Sequence, residues 1–68
     1  MRLKVINQTN VNLYMLDGAC EYFEQNPSID NSKSLLSEAY NCYSHDNITM
    51  PDLIKYVGKV YKWLQTQS

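Results

Sequence analysis

From Thr49 to Leu64 the chain carries a helix-start signal and then an unbroken apolar periodicity, and no other stretch constrains the fold as strongly. With Thr49 as N-cap, Asp52 falls at the third helical position, a capping box in which aspartate replaces the usual glutamate or glutamine. Ile48 and Leu53 flank it as a hydrophobic staple. Pro51 lies in the first turn, where its missing N–H costs nothing because that donor has no intrahelical acceptor. Beyond it Leu53, Ile54, Tyr56, Val57, Val60, Tyr61, Trp63 and Leu64 share an arc of about 180° at helical spacing. Lys55, Lys59 and Lys62 fill the other side, where cations toward the C-terminus suit the helix dipole. A helix over about 49–66 follows.

Two breaks divide the rest of the chain. Proline lacks an N–H and drives its predecessor out of the helical region, so Asn26-Pro27 ends one helix. The polar cluster Ser44-His45-Asp46-Asn47 ends another. Between them a helix over about 31–44 places Leu35, Leu36, Ala39, Tyr40, Cys42 and Tyr43 on one face, with its N-cap drawn from Asp30, Asn31 or Ser32. Before Pro27, a helix over about 10–25 gathers Val11, Leu13, Met15, Leu16, Ala19, Cys20, Tyr22 and Phe23 within about 200°. Asp17, Glu21 and Glu24 lie opposite, and Thr9 or Asn10 supplies the cap. In residues 1–6, Met1, Leu3 and Val5 alternate with Arg2 and Lys4, a strand-like period without a second strand to pair it. The expectation is an all-α single domain over 1–68: three short antiparallel helices and an extended N-terminal arm or short strand.

Composition narrows the function. Six basic and seven acidic side chains give a net charge of −1, which argues against a protein that coats nucleic acid or an anionic membrane. No apolar run approaches the roughly 18 residues of a membrane span, and Met1–Ile6 runs straight into Asn7-Gln8-Thr9-Asn10 without a secretory apolar core. A cytoplasmic location is expected. Cys20 and Cys42 fall on apolar faces, as small buried hydrophobes do. Together with His45 they lack the paired cysteine knuckle and fourth ligand of a structural zinc site, so neither metal nor cofactor is expected. Asp17, Glu21 and Glu24 form a stripe at i, i+4, i+7 on a wet helix face, with no cleft in view to perturb their pKa values. The chain carries no recognisable nucleophile–base set or phosphate loop, and the expectation is a protein that is not an enzyme.

The run Met50-Pro51-Asp52-Leu53-Ile54-Lys55-Tyr56-Val57-Gly58, followed by Val60-Tyr61-Lys62-Trp63-Leu64, resembles the helix-turn-helix of excisionase-like and MerR-like DNA-binding proteins over about 15 residues. The resemblance implies a turn at Gly58 and a recognition helix after it. The residues that should separate glycine from a second helix are missing here, and Lys59-Val60 keeps the helical phase intact. One continuous helix is therefore expected, with nucleic-acid binding through its lysine face as the alternative function.

What remains is surplus. A helix in a three-helix bundle needs an apolar stripe of roughly 100°, and each of these shows more. The excess is aromatic, and tyrosine and tryptophan offer large contact areas at low entropic cost. Trp63, Tyr56, Tyr61, Tyr22 and Tyr40 are the candidate contact residues, with Lys55, Lys59 and Lys62 steering. The acidic stripe is placed to meet the lysines where the helices, or two copies, adjoin. The expected function is a small non-catalytic protein-binding regulator, an inhibitor or adaptor of a larger enzyme or transcription component, acting as a homodimer. The Asn-, Lys-, Ile- and Tyr-rich composition fits an AT-rich genome and, by association, a phage or mobile element.

Overall fold

A computed structural model describes residues 7–67, so the expected N-terminal arm lies outside the described residues. Three helices follow in order: α1 (Gln8–Gln25), α2 (Ile29–Ser44) and α3 (Met50–Thr66). The fold is all-α, and consecutive helices reverse direction. Cys42 near the end of α2 donates its thiol proton to the Asn12 carbonyl near the start of α1 (3.2 Å).

The first two helices begin earlier than their periodicity predicts, and in each the capping side chain is the reason. Asn7, in extended backbone, accepts the Thr9 N–H at 2.9 Å and starts α1 at Gln8; neither Thr9 nor Asn10 is the cap. Gln8 then donates to Asn12 one turn on at 3.0 Å, which draws the polar first turn into the helix. Ser28 starts α2: Pro27 precedes it, its backbone is fully extended, and its hydroxyl oxygen accepts the Asn31 N–H at 3.0 Å. Asp30, Asn31 and Ser32 are thus inside the helix. Asn31 reaches back to the Asn26 carbonyl (2.6 Å), and Ser32 donates to the Ile29 carbonyl (2.7 Å). α3 starts as its sequence predicts. Asp52 Oδ2 accepts both the backbone N–H and the hydroxyl of Thr49, at 3.4 and 3.0 Å, and α3 runs through Gly58 without interruption.

The turn between α2 and α3 is tight. Asn47 N–H returns to the Cys42 carbonyl at 2.7 Å. Asp46 has φ of 58°, a left-handed conformation that a short polar side chain tolerates better than most. The core lies along α2: Leu35, Ala39 and Cys42 meet Leu16 and Phe23 of α1 and Val60 of α3. Cys20, Leu36, Ile48, Leu53, Tyr56 and Trp63 close its edges. α1 and α3 meet mainly through side chains, with the Trp63 and Phe23 rings edge to face at 5.6 Å.

Candidate interaction surface

Helix α3 is apolar over a wider arc than its neighbours cover. Leu53, Tyr56, Val60 and Trp63 turn toward α1 and α2. About 100° further round, at 100° per residue, stand Met50, Ile54, Val57, Tyr61 and Leu64. All five are exposed, from 43% at Leu64 to 62% at Tyr61. Their spacing of four, three, four and three is the seam pattern by which one helix receives another.

A second apolar stripe stands on α1. Val11, Met15 and Tyr22 are exposed beside the core residues Leu16 and Phe23. With Tyr14, Gly18 and Ala19, and with Ser34 and Glu38 of α2, Met15 and Tyr22 line an open groove of about 370 Å³. By periodicity Val11, Leu13, Met15 and Tyr22 share the α1 face of Leu16 and Phe23. The structure leaves all four in solvent, because two neighbouring helices cover only part of that arc.

The aromatic candidates therefore divide. Tyr61, Tyr22 and Tyr40 stand in solvent. Trp63 and Tyr56 are half-buried against the core, and the Trp63 ring is engaged with Phe23. Burial, ahead of the nearby Cys20 and Asp52, raises the Tyr56 hydroxyl pKa above its ordinary value.

The charged stripes meet at one point. Lys59 Nζ lies 3.1 Å from Glu24 Oε2, the one salt bridge among the described residues, and it ties α3 to α1. Its hydrogen bond and charge hold the Glu24 carboxyl below its usual pKa and raise that of Lys59. Lys55 and Lys62 on α3, and Asp17 and Glu21 on α1, are exposed and make no salt bridge among the described residues. Glu21 accepts a hydrogen bond from Gln25 at 3.3 Å.

Neither thiol is activated. Cys42 is fully buried, and burial, followed by the Glu38 charge, raises its pKa. Cys20 is half-buried; burial and then the Glu24 carboxylate raise its pKa in turn. His45 turns Nδ1 to the Asn41 carbonyl at 2.8 Å, at the end of α2. The described residues include no group of three or more His, Cys, Asp or Glu side chains placed to hold a metal ion. Nor is any helix among them long and apolar enough to cross a membrane.

Sequence reasoning missed one polar element. Asn12 sits on the buried face of α1, 5% exposed, where the periodicity leaves it unplaced. It donates to Asn47 Oδ1 at 2.7 Å, and Asn47 donates in turn to Thr9 and to the His45 carbonyl. The α2–α3 turn is thereby pinned to the first turns of α1. The available signal was a polar residue four positions before Leu16, in phase with it on the helix.

No family model, curated protein or solved structure matches this chain.

Proposed function

We propose that this is a small non-catalytic protein-binding regulator, an inhibitor or adaptor of a larger enzyme or transcription component, acting in the cytoplasm through its exposed apolar helix faces. The observation that carries the reading is the row Met50, Ile54, Val57, Tyr61 and Leu64, standing in solvent beside a core that is already closed. Contiguous apolar patches of this kind mark interaction sites on small soluble domains. Tyr61 is the anchor proposed for α3, and Tyr22 and Tyr40 extend the surface to the other helices. Tyr56 and Trp63 support it from beneath. Two free cysteines suit a reducing compartment. A phage or mobile-element source rests on composition alone.

Nucleic-acid binding by the α3 lysines is the less supported reading. Lys59 is engaged by Glu24, and Asp52 shares the helix with Lys55 and Lys62. The test is affinity capture from host extract with wild-type, Tyr61→Glu and Lys62→Glu baits. The expected result is a stoichiometric protein retained at high salt by wild type and by Lys62→Glu and lost with Tyr61→Glu. Recovery of nucleic acid alone, abolished by Lys62→Glu, overturns the proposal.

A further inference from the structure

The groove between α1 and α2 shares no residue with the outward row of α3. Its floor is small or flexible: Gly18, Ala19 and Met15, with open space where a Cβ on Gly18 would stand. Tyr14 and Tyr22, each about one turn from Gly18 along α1, wall it at either end, and both are exposed. Glu38 of α2 stands on the opposite bank. Cys42 meets Asn12 where the two antiparallel helices pair, so Glu38, four residues back from Cys42, comes level with Leu16, between Tyr14 and Gly18.

The charge of this groove is one-sided. Glu38 is half-buried, yet it accepts no hydrogen bond and makes no salt bridge among the described residues. Helix α1 has no cation, and Lys33, the one cation on α2, stands about 140° round that helix from Glu38. Neither helix answers the carboxylate. A partly desolvated carboxylate gains most from a partner that brings both charge and donors. The apolar floor beside it suits a ligand with an apolar stem and a cationic head, as in lysine and arginine. Exposed tyrosine faces favour arginine, whose planar guanidinium stacks on a ring and grips a carboxylate with two parallel N–H donors. We propose that the α1–α2 groove receives an arginine side chain from an apolar segment of a partner protein. The stem lies on Met15 and Ala19, the guanidinium meets Glu38 beside Tyr14, and an apolar neighbour of that arginine settles over Gly18 against Tyr22. This is a second recognition site, independent of what the α3 row takes.

Backbone amide NMR of the full chain tests this with a capped alanine–leucine peptide bearing one central arginine, and with its twin in which neutral, isosteric citrulline replaces the arginine. The arginine peptide is expected to shift the amides of residues 14–22 and 34–38 saturably, and the citrulline twin to bind about fivefold more weakly or worse. Glu38→Gln should bring the arginine peptide down to the citrulline level and leave the citrulline peptide unchanged. Gly18→Leu, whose side chain fills the notch from a position with space for it, should remove the binding of both. Asp17→Asn, an equal loss of charge outside the groove, and Tyr61→Ser should change neither. If Glu38→Gln does not keep wild-type helicity and melting, Tyr14→Ser replaces it and should weaken the arginine peptide more than its twin. Equal affinity for the two peptides, or no saturable binding of either, overturns the proposal. So does an equal effect of Asp17→Asn and Glu38→Gln, the mark of diffuse attraction to acidic helices, or loss of binding with Tyr61→Ser, the mark of a peptide on α3. Shifts at the groove amides on raising the protein concentration without peptide mark a second copy as the occupant and also overturn it. Each of these leaves the capture test with Tyr61→Glu standing on its own.

Discussion

Replacing Asn47 by alanine should cost this small domain a large share of its stability, although Asn47 lies in a turn and contributes nothing to the apolar core. Its Oδ1 is the acceptor for Asn12 Nδ2 at 2.7 Å, and Asn12 is 5% exposed. The substitution leaves a buried amide donor without a partner, which costs about 1–3 kcal/mol. It also removes the donations to Thr9 and to the His45 carbonyl, both in exposed surroundings and of smaller weight. A domain of this length has roughly 3–10 kcal/mol in all at the usual value per residue. A loss of about 2 kcal/mol corresponds to a fall in Tm of roughly 8–16 °C. The assay is thermal unfolding by circular dichroism at one fixed protein concentration, which holds any mass-action contribution constant between samples. Asn12→Ala combined with Asn47→Ala should cost less than the two single losses together, with a coupling of about 1 kcal/mol or more, since the orphaned donor is then gone. A fall of less than about 3 °C for Asn47→Ala, or additive losses in the double variant, would refute the claim that this network pins the turn to α1.

Three other predictions follow from local structure. Gly58→Ala should stabilise by about 0.5–1 kcal/mol in urea unfolding, since Gly58 sits mid-helix with negative φ and open space for a Cβ; destabilisation would mean a turn there after all. The Glu24–Lys59 tether should depend on pH in a defined sense. Because the Glu24 carboxyl is held below its ordinary pKa, its contribution is complete above that ordinary value and is lost as pH falls through the lowered one. Lys59, raised, contributes fully below its ordinary pKa and loses the contribution as pH rises through the raised value. The Tm difference between wild type and Glu24→Gln should therefore be present at neutral pH and vanish in strong acid; a difference independent of pH contradicts the pairing. Thiol labelling in mild alkali should modify Cys20 first and slowly, and Cys42 only when denaturant is added, because both pKa values are raised and Cys42 is buried. Prompt labelling of Cys42 in the native protein would show that the α1–α2 contact opens readily.

The helices were legible because their signals are local. Thr49, Pro51 and Asp52 announce α3 within four residues, and the proline at 27 separates α1 from α2 without reference to anything distant. The N-termini of α1 and α2 lie two residues ahead of where periodicity puts them because polar residues admit several caps, and only backbone geometry decides between Ser28 and its three polar successors. The site was half legible. Periodicity reveals that an apolar arc is too wide for its neighbours, but not which edge of the arc they cover. Tyr61 and Trp63 are two residues apart on one helix and equally apolar by type; packing alone sends Trp63 to Phe23 and leaves Tyr61 in water. Asn12 was illegible for a related reason: its partner Asn47 lies 35 residues away, and a polar residue on a core face signals a bond without naming the other end.

The central claim is that the apolar rows, and not the lysines, are the working surface. It is tested most directly by titrating the captured protein partner and a fluorescent DNA duplex against the wild-type chain at 50 and 500 mM salt. The account predicts a partner Kd that changes by less than about threefold between the two conditions and rises at least tenfold with Tyr61→Glu, with no saturable duplex binding. Duplex binding that falls steeply with salt, by about 0.9 in log K per phosphate contact for each tenfold rise in salt, and that survives Tyr61→Glu, would contradict it.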